Sequence, residues 1–285
     1  VREFLSDKAD LMNISEIAQN LVFQDGIWVS KKSVQIAYPA EANKVYSEIE
    51  ENSFWFNHRN KIILKAIQCF SPSSKHFFDI GGGNGFTGSF LSKSGYKTIL
   101  VEPGEDGIRI AKQRGVDHLI NSSLQDAGFL KGGLPTVGLF DVLEHIEDDL
   151  SFLKQVESVL TNSGIVFITV PAFNNLWSQN DVNAQHYRRY TTTTFTKVAE
   201  AAGFKIIYAT YFFRFLPFGI FLFRSLPYRF GIKFKSLYSK ATKEHKSSFA
   251  SKLINFLGKS ELNAVEKMRA MNIGSSCLFV LRKDK

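Results

Sequence analysis

Phe77-Phe78-Asp79-Ile80-Gly81-Gly82-Gly83-Asn84-Gly85-Phe86 is an apolar run containing an acid, then four glycines in five positions, leading into a stretch with helical character, Phe86 to Ser94. That order reads as a strand, a tight turn and a helix. Glycine accepts positive φ and places no Cβ between the main chain and a ligand. The unpaired N–H groups that open the helix face whatever lies over the turn. A ligand is expected there, and the flanking residues bear on which one.

Two ligand classes suit such a turn. Gly83-Asn84-Gly85-Phe86-Thr87-Gly88 fits G-x-G-x-x-G, and Glu102 follows about twenty residues on, as in a dinucleotide fingerprint. Asp79 argues against that choice, because an acid two residues before the first glycine would repel a pyrophosphate. It suits a ligand with cationic groups and hydroxyls, such as the ammonium and sulfonium of S-adenosylmethionine. The plainer reading of Asp79 is an acid capping its own turn.

Working outward, Tyr96 to Val101 reads as a second strand, β-branched and apolar, ending in Glu102-Pro103. A carboxylate there can accept both ribose hydroxyls; the plainer alternative is a solvated strand end. Ile108 to Arg114 reads as a helix closed by Gly115, and Val116 to Ile120 as a third strand. Asn121, Ser122 and Ser123 follow, placed to face an adenine edge.

Asp79-x-Gly81-x-Gly83-x-Gly85, Glu102 and Phe140-Asp141-Val142-Leu143-Glu144-His145-Ile146 resemble the motifs of class I S-adenosylmethionine-dependent methyltransferases. The small-molecule branch that includes the ubiquinone-biosynthesis O-methyltransferases is the most similar. Val170-Pro171-Ala172 and the stretch from Leu176-Trp177 through His186-Tyr187-Arg188-Arg189-Tyr190 resemble a bacterial subgroup associated with cell-surface glycan or lipid pathways. The resemblance covers residues 52–210 well and Ser276–Leu281 more loosely. It implies an α/β fold with a doubly wound, seven-stranded, mostly parallel Rossmann-like sheet, whose last strand is antiparallel and inserted between its neighbours. Its candidate cofactor residues are Asp79, Gly81, Gly83, Gly85, Glu102, Pro103, Ser123, Leu124, Phe140 and Asp141. In such enzymes the segment before the first strand crosses the cofactor, so Arg59 is expected to reach the methionine carboxylate, with a surface salt bridge as the alternative.

The expected organisation is an N-terminal extension and cofactor-covering segment at 1–60, a methyltransferase core at 61–211, a basic, aromatic helical insertion at 212–275 and a last core strand at 276–285. Within the extension, Leu21 to Ser30 reads as a hairpin turning at Asp25-Gly26. Ala42–Asn52 and Lys61–Phe70 read as helices. The chain of 285 residues has room for one large domain with appendages. Cys69 and Cys277 form neither a disulfide framework nor a metal spacing, and residues 1–20 mix charge with short apolar runs, unlike a secretory signal. A reducing cytoplasm and no metal are therefore expected.

Residues 224–285 hold 14 Lys and Arg against 4 Asp and Glu, a net of +10, so the rest of this +8 chain is nearly neutral. Before them come Phe212, Phe213, Phe215, Phe218, Phe221 and Phe223, interrupted by Arg214 and Pro217. This run either closes a pocket or interface, or makes peripheral contact with an anionic membrane. Nucleic acid is the less favoured partner, since no recognised binding motif accompanies the charge.

Methyl transfer to a hydroxyl requires removal of a proton. His145 is the candidate base, with Glu144 to orient it or bind the acceptor, and His186 is second; the alternative is that Glu144 and His145 merely open a helix. Trp177, Arg188, Arg189 and Tyr190 are candidate acceptor contacts, the arginines for an acidic group or, alternatively, for backbone carbonyls. The expected reaction is O-methylation of a small or lipid- or glycan-linked acceptor. N- or C-methylation and a non-catalytic nucleotide-binding module are the alternatives, and the missing Asn/Asp-Pro-Pro-Tyr/Phe signature disfavours a base N-methyltransferase. The oligomeric state is not legible.

Overall fold

The computed structural model describes residues 13–31, 50–51, 53–116, 118–232 and 248–284. Most of the helix expected at Ala42–Asn52 lies outside the described residues. Among the described residues nine strands form one sheet: β1 Leu21–Gln24, β2 Ile27–Ser30, β3 His76–Ile80, β4 Lys97–Val101, β5 His118–Asn121, β6 Leu134–Phe140, β7 Leu160–Pro171, β8 Phe204–Phe212 and β9 Ser276–Lys283. Their order is β1-β2-β5-β4-β3-β6-β7-β9-β8. β3 to β7 are mutually parallel where they pair, and β9 runs antiparallel between β7 and β8. The expected seven-stranded core is present with its inserted last strand.

The sheet is wider than expected because the hairpin joins it. Asp25 and Gly26 both have positive φ, +50° and +81°, the turn that matches the twist of a two-residue hairpin. β2 then pairs in parallel with the edge of β5, through Trp28 opposite Ile120 and Val29 opposite Asn121. This pairing covers an otherwise open edge.

β3 shows why the central strands read as unbroken apolar runs: both faces are covered. Successive side chains point to opposite sides of a strand, and Phe77 and Phe78, both fully buried, enter two different core clusters. On Phe77's side lie helices α1 Phe54–Phe70 and α2 Phe86–Lys93. On Phe78's side lie α4 Asp149–Val159 and α6 Thr192–Ala201. Further helices among the described residues are the single turn Ile14–Ile17, α3 Glu105–Gln113, the short α5 Gln179–Asn183, a bent helical segment from Leu216 to Arg229, and α7 Ser248–Glu266. Glu261 of α7 fixes that helix to the core, binding His58 at 2.8 Å and accepting from the Phe213 and Arg214 amides at 3.1 and 2.7 Å.

The aromatic run divides. Phe212 and Phe213 are buried, whereas Phe218, Phe223 and Phe230 are exposed by 69% or more. Among the described residues no helix is long and apolar enough to cross a membrane. The chain proceeds from β3 outward to β4 and β5, then returns to β6 on β3's other side. That reversal opens a crevice at the carboxyl ends of β3 and β6, the usual place for a ligand in such sheets.

Candidate active site

A cleft of about 830 Å³ occupies that crevice. Its volume lies within the ~300–1,000 Å³ typical of small-ligand sites. Its floor is the glycine turn. Gly81 donates its amide to the Val101 carbonyl at 2.7 Å, which fixes the turn to β4. Gly83 (φ +52°) faces open space, with no atom within 4 Å of where a Cβ would stand. Gly85 (φ +70°) is the N-cap of α2, and a Cβ there would come within 2.6 Å of the Ala111 Cβ. Gly83 thus leaves room for a ligand, and Gly85 lets α3 pack closely beneath the turn.

Glu102 borders the turn. Its carboxylate accepts from the Gly83 amide at 3.0 Å and the Gly104 amide at 2.8 Å. Each carboxylate oxygen has two lone pairs, so acceptor capacity remains toward the cleft that Glu102 lines. Burial raises its pKa against the pull of these two amides. Pro103 lines the same wall, and Asn121 holds the loop by donating to the Glu102 and Pro103 carbonyls.

Asp79 is fully buried, and neither of its carboxylate oxygens has a hydrogen-bond partner. Burial pushes its pKa up to about 7; Glu102 adds to the rise, while Arg59 and, least, the nearby Gly88 amide, which approaches without completing a hydrogen bond, oppose it. A buried, under-satisfied acid on a cleft floor is a costly group to retain. A cationic ligand group would offset that cost, and a pyrophosphate would increase it.

α1 forms the roof. Arg59, buried, donates to the Thr87 hydroxyl at 2.9 Å and pairs with Asp141. Its guanidinium lies 5.1 Å from the Trp55 ring centre and 5.5 Å from that of Phe56. Asn60 accepts from the same Thr87 hydroxyl at 2.9 Å. Asp141 closes β6 at φ +58°, its side chain accepting from Thr169 at 3.1 Å. This residue is held in a conformation that non-glycine residues enter only when neighbours enforce it. Arg59 is thus not a surface salt bridge; it joins α1, α2 and the end of β6 around the cleft.

These features fit an S-adenosyl group: unpartnered acid below, arginine above, carboxylate beside a turn open at Gly83. A family model described as a methyltransferase domain matches residues 55–209, more than half of the chain. The chain belongs to the S-adenosylmethionine-dependent methyltransferases. Among curated proteins, a probable S-adenosylmethionine-dependent methyltransferase of Mycolicibacterium smegmatis is 20% identical over 174 residues, 60% of this chain and 66% of that relative's length. Among solved structures, the Haemonchus contortus phosphoethanolamine N-methyltransferase 2 bound to S-adenosylmethionine aligns with a TM-score of 0.54 at 18% identity, over 90% of this chain and 62% of the other. A possible histamine N-methyltransferase of Thermotoga maritima aligns at 0.51 and 16% identity, over 85% of this chain and 97% of the other. These likenesses establish the methyltransferase fold.

Opposite the cofactor floor stands the second half of the cleft. Leu143–His145 is a single 3₁₀ turn after β6, and the following helix α4 is capped separately by Asp148, which accepts from Ser151. Glu144 and His145 therefore do not serve as that helix's cap. Glu144 is 1% exposed, its Oε2 has no hydrogen-bond partner, and burial, then the nearby Asp141, raise its pKa well above the ordinary value. His145 and His186 meet edge-to-face with ring centres 4.7 Å apart. Burial first and then His186 lower the His145 pKa to about 4, and the Ala184 backbone bonds to its ring.

The other expected residues divide between wall and support. Phe140, Asp141, Glu144, His145, His186 and Arg189 line the cleft. Arg189 is committed internally, binding Asp181 at 2.6 and 3.1 Å and the Ala172 carbonyl at 3.1 Å. Arg188 binds Asp149 at 2.7 Å, and Tyr190 donates to the same carboxylate at 2.7 Å. Ser123 is tied to Asp126 at 2.6 Å, and Leu124 is buried in the core. Ser123, Leu124, Trp177, Arg188 and Tyr190 are not among the described residues of the cleft wall. Several wall or roof residues escaped the sequence reading. Asn60 and Thr87 carry no motif. Gly107 packs α3 against the turn, where a Cβ would stand 2.8 Å from the Gly83 carbonyl oxygen. Ile220 and Arg224 reach the cleft from a segment distant in sequence, and only their presence in the aromatic, basic run hinted at a role.

Proposed function

We propose that the chain transfers the methyl group of S-adenosylmethionine to an oxygen of a small or lipid- or glycan-linked acceptor. Asp79, Gly81, Gly83, Glu102, Pro103, Phe140, Asp141 and Arg59 hold the cofactor in this reading, which when bound supplies an electrophilic methyl on sulfonium. The observation that carries the choice of oxygen is the convergence of Glu144, His145 and His186 on one point of the cleft wall. An oxygen acceptor must shed a proton as it is methylated, and the proximity of these three groups supports a role for them in removing it. Holding the acceptor at near-attack distance supplies much of the remaining acceleration. A lipid-linked acceptor is supported by the exposed Phe218, Phe223 and Phe230 on the segment whose Ile220 and Arg224 face the cleft. That surface suits peripheral contact with an anionic membrane.

The test supplies methyl-labelled S-adenosylmethionine with paired acceptors that differ only in bearing a hydroxyl or an amine, free and lipid-linked. Label on hydroxyl acceptors is the expected result. Transfer confined to amines or carbon would remove the oxygen assignment while leaving the family intact.

A further inference from the structure

Arg188 and Arg189, the arginines expected to recognise an acidic group of the acceptor, are bound to Asp149 and Asp181. The arginines of the cleft wall itself are Arg59, Arg189 and Arg224. The first two are neutralised by Asp141 and Asp181. Glu50, a further acid of the wall, is taken by Arg114. Arg224 differs from the others. It is exposed, and among the described residues it has no ion pair, hydrogen bond or ring contact. The wall thus presents one guanidinium whose charge no acid of the protein offsets.

The chain aims that side chain by an irregular turn. Pro227 has no N–H to give the Phe223 carbonyl, so regular α pairing cannot run through this stretch. Phe221–Ser225 is instead a π turn, in which the Leu226 amide reaches back five residues to the Phe221 carbonyl. Such single turns occur mostly at functional sites. Buried Ser225 donates its hydroxyl to the Ile220 carbonyl at 3.4 Å, which ties the turn to the helix before it. Ile220 and Arg224, four residues apart, share the face that lines the cleft. Arg229 secures the far end: it donates to the Asn175 carbonyl at 3.2 Å and lies 5.5 Å from the Phe221 ring centre. Arg229 is therefore spent on holding the segment, and Arg224 is left facing the cleft.

We propose that Arg224 binds a phosphate group of the methyl acceptor, carried either by a lipid headgroup or by a water-soluble phosphate ester. A guanidinium presents its donors in a planar fork that matches two phosphate oxygens at once. The neighbours of Arg224 favour this anion. Exposed Phe218 and Phe223 lie outside the cleft on the same segment, whereas Glu144, His145 and His186 lie within it. An acceptor with an apolar tail at the first and a hydroxyl at the second needs a link between them, and in lipid headgroups that link is a phosphate ester. The inference narrows the acceptor class of the proposed reaction and rests on that reading for what the phosphate is attached to. The contact is one of recognition: Arg224 sets which acceptors enter and leaves proton removal to the other wall.

The experiment is calorimetry on the full chain saturated with S-adenosylhomocysteine, using glycerol 3-phosphate, monomeric dihexanoylphosphatidylglycerol, and dihexanoylglycerol, which lacks phosphate. Saturable binding of a phosphate probe at one site per chain is expected, with none from dihexanoylglycerol. Binding of glycerol 3-phosphate identifies a soluble ester as sufficient; binding of the short-chain phospholipid alone identifies a lipid headgroup. Arg224→Gln should weaken that binding by ~10–100-fold, the range of a charge-assisted contact. Arg224→Lys should weaken it less, because the charge stays and the fork is lost; it also serves should Arg224→Gln not fold. Lys131→Gln removes an exposed charge ahead of β6, at the end of that strand away from the cleft, and should leave affinity unchanged. Absence of saturable binding by both phosphate probes would overturn the site. So would equal affinities in parent and folded Arg224 variants, or an equal loss in Lys131→Gln. Methyl transfer confined to amines, with phosphate still held through Arg224, removes the oxygen assignment and leaves this site standing; label on hydroxyls without phosphate binding does the reverse.

Discussion

Replacing Asp79 with asparagine should stabilise the ligand-free protein and weaken its hold on the cofactor, with both effects growing as pH rises. Asp79 is fully buried without a hydrogen-bond partner, and its pKa is raised from 3.8 to about 7. The folded state therefore binds more protons than the unfolded state between those values. Stability contributed by the neutral acid is complete below pH 3.8 and is lost as pH rises through about 7. A shift of roughly three units at ~1.4 kcal/mol each sets an upper bound of ~4 kcal/mol on the cost of ionising the group. The neutral amide of the Asp79→Asn variant carries no such cost. Its donors lack partners too, a penalty of ~1–3 kcal/mol that is the same at every pH. The discriminating quantity is thus the change in melting-temperature difference between pH 5 and pH 8. Allowing half the upper bound, ~2 kcal/mol, Asp79→Asn should gain ~4–8 °C relative to the parent over that interval. S-adenosylhomocysteine, whose ammonium favours the anion, should bind the parent more tightly at pH 8 than at pH 6. The variant should lose that dependence and bind at least ~10-fold more weakly at pH 8, a loss of ~1.4 kcal/mol. Differential scanning fluorimetry and calorimetry read both effects. Parallel melting profiles of parent and variant from pH 5 to pH 8, with equal affinities, would refute the reasoning.

Glu102→Ala removes the acceptor of the Gly83 and Gly104 amides and should reduce S-adenosylhomocysteine affinity by ~10–100-fold, as expected for charge-assisted hydrogen bonds of ~1.5–3 kcal/mol; unchanged affinity by calorimetry would contradict its ribose role. Gly85→Ala and Gly83→Ala share a positive φ but differ in surroundings. The first should cost ~2–4 kcal/mol of stability by adding strain to a clash with Ala111, whereas the second should cost only ~1–2 kcal/mol and act chiefly on cofactor binding; equal melting temperatures for the two would count against the packing argument. Phe218→Ser together with Phe223→Ser should abolish sedimentation with anionic vesicles at low salt while preserving the melting temperature, since both rings are exposed. Failure of the parent to sediment would end the membrane reading.

The core was legible where local chemistry had one outcome. Phe77-Phe78 followed by glycines requires a doubly covered strand and a turn, and β3, the turn and α2 match that reading. The inserted antiparallel strand came from family resemblance, because nothing in Ser276–Lys283 itself fixes its direction. The hairpin was readable from Asp25-Gly26, but its docking on β5 was not, since pairing partners are set by tertiary packing. In the site, Asp79 and Glu102 were visible because motif spacing places them at strand ends. Arg188, Arg189 and Tyr190 looked like acceptor contacts because charge and aromaticity are all a sequence displays. Their partners Asp149 and Asp181, which occupy these side chains, are visible only in three dimensions. The meeting of His145 with His186 was hidden for the same reason.

The chemistry of the site depends most on the turn from Gly81 to Gly85 holding an adenosyl sulfonium group rather than a dinucleotide. Isothermal titration of the unaltered protein with S-adenosylmethionine, S-adenosylhomocysteine and NAD at pH 8 tests that directly. Saturable binding of both S-adenosyl ligands at one site per chain, with no measurable heat from NAD, is the predicted result. Preferential binding of NAD would contradict the account, because it would place a pyrophosphate beside the buried Asp79.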